Sequence, residues 1–329
     1  MPLLTRDNPD GLKVVIATND VLSLSFLPQC GGRLISLKYK NYEFLWANPK
    51  YLTSDLRTCT PFPSWPKPDT TMGSWVNLGG SKTWPAPQGW STDHEWPGPP
   101  DEVLDSGVYA FDQVVDDIGD IHITMTSQED ARTGIQITRT FDIPAKGPNF
   151  SQTNSFRNHT SKSKTWSIWE VAQVTTKLPT QSEGKGYFLV ECTNLVEPKV
   201  LFHLVGDIKY SFTDKSIKVP VQNAIGKVGF TSASGDLAWV RPDGLTLRMK
   251  FLPSLSATYP DGGCSVELWH QFPLNTPMEN LGGLQPDADL VEMEILSPLH
   301  KIEAQQKVSL EILWSIEGKS NSGPHLKLL

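Results

Sequence analysis

Carboxylates at alternate positions of a strand-like stretch are the first residues that could do chemistry. The run Leu290-Val291-Glu292-Met293-Glu294-Ile295-Leu296 puts Glu292 and Glu294 on one face and Val291, Met293 and Ile295 on the other. Two carboxylates lining one pocket repel, so the pKa of one rises and the pair supplies an acid and a base. The same alternation also describes a solvated outer face. Glu170 is different: in Trp166–Val174 it shares a face with Trp166, Ile168, Ala172 and Val174. A carboxylate there is costly unless it is paired or protonated. It is either hydrogen-bonded in a site or turned outward by a bulge. In Val266–Gln271, Glu267, Trp269 and Gln271 share a face. An indole flanked by acceptors suits a sugar ring, although any half-exposed strand fits as well. His270 falls with Val266 and Leu268 and reads as a core histidine.

A second group stands in segments without periodicity. Asp93-His94-Glu95-Trp96 offers His94 as a proton donor near neutral pH. The alternatives are metal binding with Asp93 or Glu95, or plain exposure. In Gly79-Gly80-Ser81-Lys82-Thr83-Trp84, Lys82 suits a carboxylate or hydroxyl-rich ligand and Trp84 a stacking partner. The phosphate-loop pattern is not met, and no dinucleotide fingerprint or serine-hydrolase elbow occurs. Arg33 and Trp46 either face a ligand or pack. No metal site and no cofactor are expected.

The elements that must position these residues are strands. Val21–Leu27 and Arg33–Tyr39 alternate, and Lys40-Asn41 turns the chain into Tyr42–Trp46. Further strands are expected at 121–127, 134–143, 149–157, 166–176, 187–193, 201–205, 237–240, 245–251, 264–272, 290–296 and 308–316, punctuated by turns such as Pro242-Asp243-Gly244. Between Pro49 and about Pro100 no period survives. Trp65, Trp75, Trp84, Trp90 and Trp96 argue against disorder there, so the segment reads as an ordered loop excursion over the sheets. A short helical turn is expected near Asp101–Leu104. Many strands without long helices predict an all-β sandwich, one domain over 1–318, with a polar tail at 319–329.

Composition narrows the partners. The net charge of −7 and the absence of basic runs argue against nucleic acid or an anionic membrane. No apolar stretch reaches the length of a membrane span. Residues up to Val14 carry no secretory pattern, and the four cysteines form no close pair, so a reducing cytoplasmic setting is expected. Eleven tryptophans among 329 residues belong either to the core or to a stacking surface for a flat partner such as a sugar. The oligomeric state is left open.

Gly31-Gly32-Arg33-Leu34-Ile35-Ser36-Leu37 with Tyr42–Trp46 resembles the opening hairpin of aldose 1-epimerases. Gly134–Phe141, Asn154–Asn158 with Trp166–Val174, and Glu292–Pro298 with Val308–Trp314 resemble later strands of the same galactose mutarotase-like superfamily. Gly79–Gln88 and Glu95-Trp96-Pro97 resemble an uncharacterised bacterial branch of it. The resemblance implies a large antiparallel supersandwich with a sugar-facing sheet. It implies that Glu294, or Glu292 in a competing register, takes the proton of the anomeric hydroxyl. The family histidine that protonates the ring oxygen is not matched: its strand falls near Trp166–Glu170, where Trp169 or Glu170 stands. The expected function is a sugar mutarotase or epimerase acting through Glu294 with Glu170 or His94, and binding substrate through Arg33, Trp46, Lys82, Trp84, Glu267, Trp269 and Glu292. The alternative is a non-catalytic carbohydrate-binding or sensing protein, and the expected partner is a sugar or oligosaccharide.

Overall fold

The computed structural model describes residues 2–69, 71–176 and 185–318; the expected tail at 319–329 lies outside the described residues. Two antiparallel sheets face each other. The larger runs Leu3–Asp7, Lys13–Thr18, Leu22–Leu27, Arg33–Tyr39, Ser81–Ala86, Lys164–Thr175, Leu290–Leu296, Val266–Gln271, Ile225–Phe230 and Lys199–Val205 in spatial order. The second runs Ser211–Phe212, Ser216–Pro220, Tyr187–Cys192, Ala233–Val240, Thr246–Lys250, Lys307–Glu317, Asn149–Asn158, Ile135–Ile143, Ile121–Thr126 and Ala110–Val115. Among the described residues there is no α-helix, only 3-10 turns at Phe62–Ser64, Met72–Ser74 and Glu279–Leu281. Asp101–Leu104, expected to be helical, is a turn. None of these elements is a helix long and apolar enough to cross a membrane.

The core between the sheets follows from period-2 patterning. Ile135, Ile137, Phe141 and Ile143 are buried from one sheet, and Ile168, Val174, Met293 and Ile295 from the other. Each such side chain contributes about 1.5–3 kcal/mol when fully buried. The central strand Ser81–Ala86 lies inside the segment expected to be a loop. It is buried at all six positions, so its two faces carry no alternation to read. Gly79 and Gly80, both at positive φ, lead into it under the backbone of Trp46 and Leu34, where any Cβ would collide.

One polar cluster interrupts this core. Glu170 points between the sheets, as its alternation requires, and is fully buried. Its carboxylate accepts hydrogen bonds from Ser81 Oγ, from Thr83 Oγ1 at 2.8 Å, and from Gln152 Nε2 and Asn154 Nδ2 at 2.9 Å. Arg139 Nη2 stands 3.2 Å from Glu170 Oε1 and donates to Ser81 Oγ as well. His270 is also buried against the core, with its ring edge-on to Phe188. Burial lowers its pKa to about 4, so it folds neutral. A depressed pKa contributes stability above the ordinary value of 6.5 that is lost as pH falls through 4. His270→Leu is therefore expected to flatten the acid side of the stability curve, read as urea midpoints between pH 4 and 7. An unchanged acid slope would count against a neutral core role.

Candidate functional site

The face of the larger sheet turned away from the core carries the charged residues. Antiparallel register sets them in rows: Trp84 beside Trp169, Lys82 beside Val171, Val171 beside Glu294, Gln173 beside Glu292, then Glu294 beside Glu267 and Glu292 beside Trp269. Lys227, from Ile225–Phe230, lies beside Trp269. This strip is bounded by two apolar clusters. On one side Tyr51, Leu52, Trp65 and Val76 of the excursion pack on Val14, Leu27 and Ile35. On the other, Met278 and Leu284 from the loop after Gln271 pack around Trp46, Trp269 and Ile225.

Glu294, Glu267 and Lys227 form the centre. Lys227 Nζ is 2.5 Å from Glu267 Oε2 and 2.8 Å from Glu294 Oε2. It also lies 4.4 Å from the Trp169 ring centroid. Trp169 Nε1 donates to Glu294 Oε2 at 2.7 Å. Both carboxylates are fully buried. Desolvation outweighs the pull of Lys227 and raises Glu294 to about 7. Burial pushes Glu267 up strongly too, and the two carboxylates hold Lys227 protonated. Glu294 Oε1 and Gln173 Oε1 have no hydrogen-bond partner among the described residues. The result is a carboxyl group poised near neutrality whose second oxygen is buried and unpaired.

Lys82 flanks this centre. It is 1% exposed, with Nζ 3.4 Å from Glu292 Oε1 and 4.6 Å from the Trp84 ring centroid. Burial lowers it to about 8, against the attraction of Glu292. Gln173 Nε2 donates to the same Glu292 oxygen at 2.6 Å. Beyond Lys82, Arg33 pairs with Asp105 at 2.5 Å, and Asp105 accepts from Trp75 and Trp84 indole N–H groups.

The structure thus brings Glu294, Glu292, Glu267, Trp269, Lys82, Trp84, Arg33 and Trp46 onto one face. It does not bring Glu170 there: one position of strand alternation turns it into the core beside Arg139. His94 is exposed in the bend 91–95, its backbone N–H bonded to Thr92 Oγ1. Nothing there joins its ring to the charged strip. The reading from sequence missed Lys227, Gln173 and Asp105. The only sequence signal for Lys227 is a lone cation between Gly226 and Val228 on an apolar run.

The described residues thus form a large antiparallel sandwich with a titratable strip on one outer sheet face. Its fold is that of the galactose mutarotase-like proteins. One such protein from Clostridium acetobutylicum superposes with a TM-score of 0.59 at 10% identity, over 96% of this chain and 98% of that one. Another from Lactobacillus casei gives 0.53 at 12%, over 92% and 100%. A TPR-domain containing protein from Parabacteroides distasonis gives 0.54 at 15%, over 97% of this chain, which spans 50% of that longer one. No protein-family model matches the sequence, and no curated protein does.

Proposed function

We propose that the protein binds a reducing sugar against the outer face of the larger sheet and interconverts its anomers, with Glu294 as the proton acceptor. The observation that carries this reading is the Glu294–Glu267–Lys227 centre. It holds a carboxyl group near neutral pKa beside the Trp169 and Trp269 indoles, and the galactose mutarotase-like proteins that share the fold are, by their name, sugar-related. Glu294 takes the proton of the anomeric hydroxyl as the bond between C1 and the ring oxygen breaks. The ring oxygen receives a proton from Lys82, whose lowered pKa suits donation near neutrality. Rotation about C1–C2 and the reverse proton transfers close the other anomer. Lys82 and Glu294 stand on either side of Val171, two strand spacings or about 10 Å apart along the hydrogen-bonding direction. That leaves the small Val171 side chain beneath the ring. Glu267 and Lys227 tune Glu294.

The test is exchange NMR on a panel of reducing sugars and uronic acids. Wild-type protein is expected to accelerate α/β exchange of at least one sugar. Glu294→Gln and Lys82→Met are each expected to slow it by about 10²–10⁴-fold, the usual worth of a general acid or base. Saturation transfer without faster exchange would sink the enzyme reading and favour a carbohydrate-binding protein, for which a centre already neutralised by Lys227 is well suited.

A further inference from the structure

Of the eleven tryptophans, ten are buried or half-buried, and Trp90 is 63% exposed. A single exposed indole is ordinary on a protein surface, and it is the cleft around Trp90 that points to a ligand. Trp90 is not on a convex tip. It lines a cleft of about 660 Å³ with Pro97, Met72, Asp69, Arg132 and Asn280. The cleft lies where two chain segments meet. One is the excursion, which roofs the Arg33 end of the charged strip. The other is the loop after Gln271, which roofs its Trp269 end. Their approach is direct: a Cβ on Gly282 would sit 3.9 Å from the Cβ of Met72. Just before the excursion begins, Asn48 Nδ2 stands 3.5 Å from Asp287 Oδ2 of the loop after Gln271.

The lining has the chemistry of a glycan subsite. The indole and Pro97 offer flat apolar surface to the C–H face of a pyranose. Asp69 and the Asn280 amide offer acceptors and donors to hydroxyls. The Arg132 guanidinium is held in place by Asp101, at 2.8 Å, which also accepts from the buried Trp96 indole. Arg132 is already matched by Asp101, which leaves Asp69 as the uncompensated charge of the cleft and disfavours an acidic glycan there. Its volume exceeds what one small ring fills, and none of the residues lining it belongs to the charged strip.

We propose that this cleft binds a neutral oligosaccharide, with Trp90 as its stacking platform, so that the ligand is longer than the single ring handled at Glu294. The proposal rests on the carbohydrate reading above, and its failure is distinguishable from failure of the exchange chemistry. The probes are maltotetraose, cellotetraose, xylotetraose and chitotetraose with their monosaccharides, titrated into the full chain by calorimetry and by saturation-transfer NMR. At least one tetrasaccharide is expected to bind, with saturation on more than one sugar unit. Trp90→Ala is expected to weaken that binding by about tenfold or more, as loss of an aromatic anchor does. It should leave monosaccharide binding and anomer exchange within twofold. Trp90→Phe, which keeps a flat ring, should recover most of the affinity. Tetrasaccharide affinity unchanged in Trp90→Ala would overturn the subsite, as would a panel in which none binds. Exchange intact in that case would leave Glu294 chemistry standing. Trp90-dependent binding without any exchange would keep the cleft and remove the epimerase.

Discussion

Arg139→Met is expected to destabilise the protein by about 3–5 kcal/mol, because it strands the Glu170 carboxylate as an unpaired charge in the core. Both side chains are fully buried, so no water can replace the lost partner. The loss spreads beyond the ion pair. Arg139 Nη1 also donates to the carbonyls of Gly32 at 2.7 Å and Ser81 at 2.8 Å, tying Ile135–Ile143 of one sheet to the entry of two strands of the other. Glu170→Gln in the same protein is expected to recover at least half of the deficit. The Gln carbonyl still accepts from Gln152 and Asn154, and its amide can donate to the Ser81 Oγ that Arg139 Nη2 vacates. Urea unfolding of wild type, both singles and the double mutant forms a closed cycle. A single-mutant cost below about 1 kcal/mol, or a double mutant no better than Arg139→Met, would remove the pair from the account of stability. The cluster bears on function through alternation. Ser81 and Thr83 hold it from below, and Lys82 and Trp84, their neighbours, stand on the outer face.

How much of this was legible in the sequence depends on which faces of a strand are buried. Leu290–Leu296 alternates because one face meets core and the other meets charged neighbours, and its reading was borne out. So was the face assigned to Glu170, whose partner nevertheless lay hidden: Arg139 is distant in sequence and reaches it only because the sheets pack. Ser81–Ala86 was read as loop. It is buried on both faces, contains Pro85, and sits among prolines and glycines, so neither periodicity nor composition marks it. Ile225–Phe230 was missed for a related reason. Gly226 and Gly229 leave little side-chain pattern, and Lys227 looks like an ordinary surface cation until Val266–Gln271 and Leu290–Leu296 bring two carboxylates to it. The tryptophan surplus was legible as a number but not as a role. Trp96, Trp166, Trp239 and Trp314 are core residues, and only position in the fold separates them from Trp90.

Glu294→Gln is expected to stabilise the protein at pH 8 and to have little effect at pH 4.5, a dependence that follows from the sign of its pKa shift. The folded value of about 7 lies above the ordinary 4.5. A raised carboxyl contributes stability that is fully present below 4.5 and is lost as pH rises through 7. His270 runs the other way over nearly the same window: its contribution is present above 6.5 and lost as pH falls toward 4. In wild type the slopes of the raised Glu294 and Glu267 oppose that of His270 between 4.5 and 6.5. Glu294→Gln removes one of the two carboxyl slopes, so the stability of the variant should rise relative to wild type with pH across that window. Lys227→Met should do the reverse. It leaves Glu267 and Glu294 without their cation and steepens the loss of stability toward pH 8, by about 3–5 kcal/mol if both carboxylates stay buried. Midpoints of urea unfolding at half-unit pH steps for the three proteins separate these slopes. Parallel curves for wild type and Glu294→Gln would mean that Glu294 ionises as an ordinary solvated carboxylate. The acid–base role assigned to it would then lose its physical basis.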